Sequence, residues 1–214
     1  MKKAVLIILL VRSFVVPAQV RVAVTAGGNL STIVFKDEGR KSAGLFIPRV
    51  RFGTLIRFPL DQNWFLTTGP YYSGKGCRYG ITLPARKRDS ITIHLNYIEW
   101  PVKILYHFSD DEESGFELSG GLYLSYGFNG KILYKGSPQL TERHLHQKNS
   151  YYKRLDFGYD FSASYEIRGQ YGLMIDFSKS LIGIAREEHD RNLAINFSVF
   201  AYLKNRKQAA ISRE

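Results

Sequence analysis

The stretch Phe116-Glu117-Leu118-Ser119-Gly120-Gly121-Leu122-Tyr123-Leu124-Ser125-Tyr126-Gly127-Phe128 decides the fold. Successive side chains of an extended chain point to opposite faces, so Phe116, Leu118, Leu122, Leu124, Tyr126 and Phe128 share one side. Glu117, Ser119, Gly121, Tyr123, Ser125 and Gly127 share the other. The arrangement returns further on, with Leu155, Phe157, Tyr159, Phe161, Ala163 and Tyr165 against Asp156, Gly158, Asp160, Ser162, Ser164 and Glu166. It returns again where Leu193, Ile195, Phe197 and Val199 oppose Asn192, Ala194, Asn196 and Ser198. No helical periodicity sustained over three turns competes with these runs.

Outward from these segments, alternation and turn residues predict eight strands, near residues 19–34, 43–59, 64–77, 91–107, 116–129, 153–167, 171–184 and 191–203. An aromatic content of 14% and 19 glycines suit such an all-β chain. Alternation alone leaves open which face meets solvent, because a soluble barrel also has one apolar face, turned inward. Two features separate the cases. Short connections at 61–63, 109–115 and 168–170 alternate with longer ones at 35–42, 78–90, 130–152 and 185–190. Outer-membrane barrels show this asymmetry, with short periplasmic turns and long external loops. Phe58 and Trp64, Tyr106 and Phe116, and Tyr165 and Tyr171 flank the three short turns on the apolar face. A ring of aromatics at one level suits a lipid–water interface. The pattern therefore predicts a closed antiparallel eight-stranded transmembrane β-barrel, an up-and-down meander, in a bacterial outer membrane.

The N-terminus fits export. Lys2 and Lys3 precede an apolar run at 4–11, and Val16-Pro17-Ala18 offers a cleavage point, so residues 1–18 read as a signal peptide. Residues 19–203 then form the barrel and 204–214 a basic tail. No later stretch reaches the roughly 18 apolar residues a spanning helix needs. Removing residues 1–18 leaves 27 basic against 19 acidic residues, a charge of +8. Export turns that surplus away from nucleic acid and toward anionic lipid or mere solubility. The single Cys77 excludes an internal disulfide.

Tyr97-Ile98-Glu99-Trp100-Pro101, followed by the alternating run 102–108, resembles a motif of the PorT-like, or porin-like, outer-membrane barrels common in Bacteroidota, which carry Y-L-E-I-P there. Tyr72-Ser73-Gly74-Lys75-Gly76 is similar to that family's Y-S-Q-K-G, and Ala26-Gly27-Gly28-Asn29-Leu30-Ser31 to its opening A-G-x-N-L-S. Residues 115–131 and 155–183 continue the likeness over most of the mature chain. The chain departs at Gly69, where an acidic residue is frequent, and by running on past Tyr202 to Glu214. The resemblance implies an eight-stranded barrel with a periplasmic N-terminus. The family's namesake supports a secretion system, but the resemblance implies no defined activity.

With the apolar face outward, the polar face lines a lumen. Parity turns Arg21, Arg49, Arg51, Arg57, Lys75 and Lys103 inward, together with Glu99, Glu117, Asp156, Asp160, Glu166 and Asp176. Unpaired buried charge is expensive, so balanced sets imply mutual pairing. Strand direction sorts them into a periplasmic layer (Arg21, Arg57, Glu117, Glu166) and a higher one (Arg49, Arg51, Glu99, Asp160, Asp176). The fourth strand changes phase near Asn96-Tyr97, which reads as a bulge. An eight-stranded barrel is just wide enough to be filled by side chains, so a charged plug is expected. A narrow solute channel is the alternative.

Catalysis has little support. His144-Leu145-His146 lacks a third ligand at metal spacing, and His189 beside Glu187, Glu188 and Asp190 reads as a solvated loop cluster; no metal or cofactor is implied. A rim-located lipid-modifying enzyme is the least supported alternative to a non-enzymatic structural, adhesive or secretion-accessory barrel. The predicted external loops are strongly basic, above all at Arg86-Lys87-Arg88, whereas the turn at 110–113 is acidic. Lipopolysaccharide phosphates would accept charge-assisted hydrogen bonds from such a rim, and a merely soluble basic surface is the equal alternative. The expected partners are outer-membrane lipids including lipopolysaccharide, the barrel-assembly machinery, and a secretion-system or other envelope component.

Overall fold

The structure, a computed structural model, describes residues 20–37, 40–81, 89–108, 114–135, 142–145, 152–185 and 190–203. The segments read as signal peptide and tail, the acidic turn at 110–113 and the Arg86-Lys87-Arg88 run lie outside them. Among the described residues the chain is built of β1 (Arg21–Asp37), β2 (Arg40–Ala43), β3 (Ile47–Pro59), β4 (Trp64–Thr68), β5 (Tyr71–Ile81), β6 (Asp89–His107), β7 (Gly115–Lys135), β8 (Glu142–Leu145), β9 (Leu155–Ile167), β10 (Tyr171–Ser180) and β11 (Arg191–Tyr202). Every pairing is antiparallel. β1 pairs with β3 on one side and β11 on the other, so a meander of eight ladder positions closes on itself. Closure removes the sheet edges that hydrocarbon would leave without hydrogen-bond partners. β2 and β8 are short extensions on β1 and β7.

The predicted third strand is divided. Gly69 takes φ 135° and Pro70 has no N–H to give, so the ladder breaks there into β4 and β5. Both pieces still lie between β3 and β6 and fill one place in the ring. The last short turn is as tight as expected: Arg168 and Gly169 both take positive φ, 51° and 61°, and Gln170 N–H donates to Ile167 O at 3.1 Å. Two successive positive φ values give the hairpin turn whose twist matches that of paired strands.

Long strands read two media. Along β6 the outward residues are Ile98, Trp100, Val102, Ile104 and Tyr106, ending at Phe108. All but Tyr106 are between 43% and 55% exposed, which marks a lipid-facing surface. The inward residues beside them are Glu99, Pro101, Lys103, Leu105 and His107. Ten residue steps of about 3.3 Å at a tilt of about 40° span about 25 Å, the height of an outer-membrane apolar band. Above Ile98 the sense of the alternation inverts: Ile91, Ile93, Leu95 and Tyr97 point inward and are buried, while His94 and Asn96 point out. β7 inverts at the same level. Lys131 lies outward there, and Ile132 and Tyr134 pack against an inner cluster with Ile33, Cys77, Ile184 and Ala185. The exterior at that height is water, so the apolar side must turn inward.

The irregularity expected at Asn96-Tyr97 is present in the β6–β7 ladder, with its extra residue in β7 and not in β6. β6 keeps one phase from Ile91 to His107, and what changes at Asn96-Tyr97 is the medium outside it. The register shift at that level belongs to β7, where Asn96 pairs with Asn129 and Tyr97 with Gly127, leaving Phe128 between them. β6 and β7, at 19 and 21 residues, also run well into segments that read as loops. They exceed the 9–11 residues that suffice to span a membrane.

Candidate functional site: the charged lumen

The inner wall inverts the usual composition of a core. Arg51, Arg57, Tyr71, Tyr97, Tyr123 and Lys75 are its largest fully buried side chains. At the periplasmic end, Arg57 from β3 pairs with Glu166 at 2.7 Å and with Glu117 at 2.9 Å. Ser164 donates to Glu117 at 2.7 Å, and His107 Nδ1 lies 3.1 Å from its other oxygen. Arg21 pairs with Glu166, donates to Gly169 O at 2.7 Å and lies 3.8 Å above the Tyr202 ring.

One inward step higher the lining is apolar: Ala23, Leu55, Met174 and Phe200 form a cluster. The register places Ala23 opposite Leu55, between the Arg21–Arg57 pair below and the Gly27–Arg51 pair above.

The upper layer is the larger one. Arg51 donates to Asp176 at 2.9 Å and to Glu99 at 3.2 Å, and lies 3.8 Å from Asp160. Lys103 donates to Asp176 at 2.9 Å, to Ser162 at 3.0 Å and to Asp160 at 3.3 Å. Lys75 pairs with Glu99 at 2.6 Å and with Asp156 at 3.6 Å, and lies 4.3 Å from the centre of the Tyr123 ring. Asn192 Nδ2 and Tyr123 O–H both donate to Asp156. Three cations thus face four carboxylates, each gripped by several partners, as charges held away from water require.

Of the residues assigned to this network from sequence, Arg21, Arg51, Arg57, Glu99, Glu117, Asp156, Asp160, Glu166 and Asp176 are brought together. Arg49 is not. Above Arg51 the pairing of β3 with β5 stops, and the Arg49 side chain lies across the outer side of Gly74, where a Cβ would come within 2.9 Å of its Nε. It reaches His94 Nδ1 and donates to Asn96 Oδ1 at 2.7 Å, both on the barrel's outer face. Parity misplaced it because a long side chain follows the gap left by a glycine. Tyr123 stands on the inward face where the alternation places it, whereas the buried Tyr71 and Tyr97, with His107, escaped the sequence reading, although each shares parity with an inward charge.

The three short motifs meet in this wall. Glu99 of the first pairs with Lys75 of the second, Asn29 of the third donates to Gly74 O at 2.8 Å, and Ser31 donates to Gly76 O at 3.1 Å. A closed ring with lipid-facing apolar residues and a charge-filled lumen describes one kind of protein, and the sequence agrees: the family model of the outer membrane protein beta-barrel domain matches residues 15–186. The chain belongs to that family. It is a protein of the bacterial outer membrane.

Among solved structures, this outer-membrane barrel is similar to Ail, the attachment invasion locus protein of Yersinia pestis, at 9% identity and a TM-score of 0.47, covering 86% of this chain and 98% of that one. It is also similar to Neisserial surface protein A, at 13% identity and a TM-score of 0.49, covering 84% and 96%. OprG from Pseudomonas aeruginosa matches at 7% identity and a TM-score of 0.45, covering 88% and 97%. These likenesses are distant. Among curated proteins none matches the sequence.

Proposed function

We propose that this barrel is a non-enzymatic mount whose lumen is closed by its own side chains and whose role is structural, adhesive or secretion-accessory. The observation that carries the reading is the stacking of the lumen. Two layers of paired charge enclose an apolar layer, and a buried apolar cluster sits on top. Among the described residues, an ion passing along the lumen meets fixed charge pairs and an apolar constriction in turn. The barrel-assembly machinery inserts the chain, and lipopolysaccharide surrounds its outer half. The test is planar-bilayer conductance of the purified, refolded full chain. No steady current above the bare bilayer is expected, and a stable ohmic conductance would replace the mount with a narrow solute channel.

Within the family, the PorT-like kinship and a secretion-system or other envelope partner are supported by the convergence of the three motifs on the Lys75–Glu99 pair and its backbone neighbours. Cross-linking in native membranes, followed by recovery of the tagged barrel, tests this reading. A repeated envelope-complex component is the supporting result, and recovery of assembly factors alone would remove it.

A further inference from the structure

We propose that the upper layer of the lumen binds one alkali metal cation, sodium or potassium, between Asp160 and Asn196. Charge comes first. Among the described residues of the layer, Arg51, Lys75 and Lys103 face Glu99, Asp156, Asp160 and Asp176, all of them buried. Three cations against four carboxylates leave one negative charge in surplus, and a buried charge without a counterion is expensive. Asp160 is held loosely. Its Oδ1 lies 3.3 Å from Lys103, and its Oδ2 has no hydrogen-bond partner and only Arg51 near it, at 3.8 Å.

The slant of the strands brings a second group to Asp160. Followed around the ring from Tyr126 through Tyr72, Ala26 and Leu173, the ladder returns to β7 at Phe116, ten residues nearer the periplasm. A row therefore descends by a little over one residue per strand on its way from β11 to β9. Ala194, Ser178 and Asp160 share one such row. Ala194 stands one inward step above Asn196, and the descent across two strands to Asp160 cancels that step. Asp160 and Asn196 thus face the lumen at one height, a quarter of the ring apart, with Asp176 and the short Ser178 on the strand between them.

Asn196 is 1% exposed, yet neither atom of its amide has a hydrogen-bond partner, which is costly for a buried polar group. Directly opposite it on β1, Asn29 donates from its Nδ2 to Gly74 O at 2.8 Å and leaves its own Oδ1 unpartnered. Asp160 Oδ2, Asn196 Oδ1 and Asn29 Oδ1 offer one negative charge and two neutral carbonyls, an all-oxygen set that suits a hard cation. Waters completing its shell would accept hydrogen bonds from Asn196 Nδ2 and Arg51 Nε, unpartnered donors of the same layer. A monovalent ion balances the surplus and a divalent one overshoots it. Among the described residues, moreover, no three His, Cys, Asp or Glu side chains are grouped as a divalent metal requires. The apolar layer around Leu55 and Phe200 below, and the cluster around Ile33 and Ile93 above, shield the ion from bulk water. The site does not rest on the barrel's role as a mount.

The full chain, refolded in vesicles of zwitterionic phosphatidylcholine, is unfolded in urea in weakly alkaline buffer. Ionic strength is held constant while N-methylglucamine chloride is replaced stepwise by sodium or potassium chloride, so that screening stays fixed and only the small cation varies. The folded-to-unfolded ratio of the wild type should rise about tenfold for each tenfold increase of the small cation above its dissociation constant, as for one bound ion. Asp160→Asn removes the surplus charge, and Asn196→Leu removes an amide that has no hydrogen-bond partner to lose; each should flatten the dependence in a folded barrel. Arg168→Gln, at the exposed periplasmic turn, should retain it. If one of the two lumen variants does not fold, the other decides. A wild type indifferent to sodium and potassium, or an undiminished rise in the folded lumen variants, would overturn the proposal. So would a stability that falls as pH rises and ignores both ions, because a proton would then supply the missing charge.

Discussion

Glu99 and Asp160 are both fully buried carboxylates of the upper layer, yet their removal should have very different effects. Glu99 supplies the closest partner of Lys75, at 2.6 Å, and one of the partners of Arg51, at 3.2 Å. Without it Lys75 is left with Asp156 at 3.6 Å. Asp160 duplicates contacts that Asp176 makes better: Lys103 lies 3.3 Å from Asp160 but 2.9 Å from Asp176, and Arg51 lies 3.8 Å from one and 2.9 Å from the other. Breaking a buried pair typically costs about 3–5 kcal/mol. Arg51 keeps Asp176, so Glu99→Gln should fall at the lower end, about 3 kcal/mol. Asp160→Asn removes the surplus carboxylate of a layer in which four face three cations, and should cost about 1 kcal/mol or less, or even stabilise. The measurement is equilibrium unfolding in urea in lipid vesicles, followed through Trp64 and Trp100, both on the lipid-facing surface. Adding Lys75→Met to Glu99→Gln should recover most of the loss, because it removes the cation that Glu99→Gln leaves buried without its closest partner. Equal midpoints for the two single variants, or no recovery in the double one, would refute the pairing scheme.

The position of the apolar band makes a second prediction: Leu122→Arg, in the band, should cost about 2–4 kcal/mol, whereas Leu133→Arg, above it, should cost about 0–1 kcal/mol. Comparable losses in vesicle unfolding would mean that the upper boundary is misplaced. Gly76 has φ 145° and a Cβ there would meet Ile93 O at 1.9 Å, so Gly76→Ala should lower stability by about 3 kcal/mol or more, seen as a lost folded band on unheated gels. In the lower layer, Arg57→Met should destabilise by about 3–5 kcal/mol because it abandons Glu117 and Glu166 together. Arg21→Met should cost under about 1 kcal/mol, since Arg21 is partly exposed at the mouth and Arg57 remains with Glu166.

The strands whose exterior is lipid throughout were legible residue by residue. In β9, β10 and β11 the inward positions Asp156, Asp160, Glu166, Asp176 and Asn192 follow from parity alone, because one medium lies outside and one inside. β6 was harder for a physical reason. Its Ile93 and Leu95 are as apolar as Ile98 and Val102 but face the other way, so a reading that equates apolar with outward finds a change of phase within β6, although the extra residue at that level lies in β7. The division at Gly69-Pro70 was masked because both halves keep the same ring position. Arg49 was lost because parity fixes where a Cβ points and not where a guanidinium about 6 Å further out finds room. The pairing partners within each layer were not legible, since they depend on which strands face one another across the lumen.

The change of sense along β6 and β7 also acts as a waterline. A barrel apolar outside along its whole length would ride up or down in the membrane at little cost. Here a downward slip of two residues draws the Arg49–His94–Asn96 group into hydrocarbon, and an upward slip lifts the ring of Trp64, Tyr106, Phe108 and Phe116 out of its interface and into hydrocarbon. The draught of the molecule is therefore set by its own sequence. Where the surrounding membrane is too thick or too thin, it is the lipid that must stretch or thin to meet the protein. Whatever the upper strands carry is held at a constant height above the cell surface.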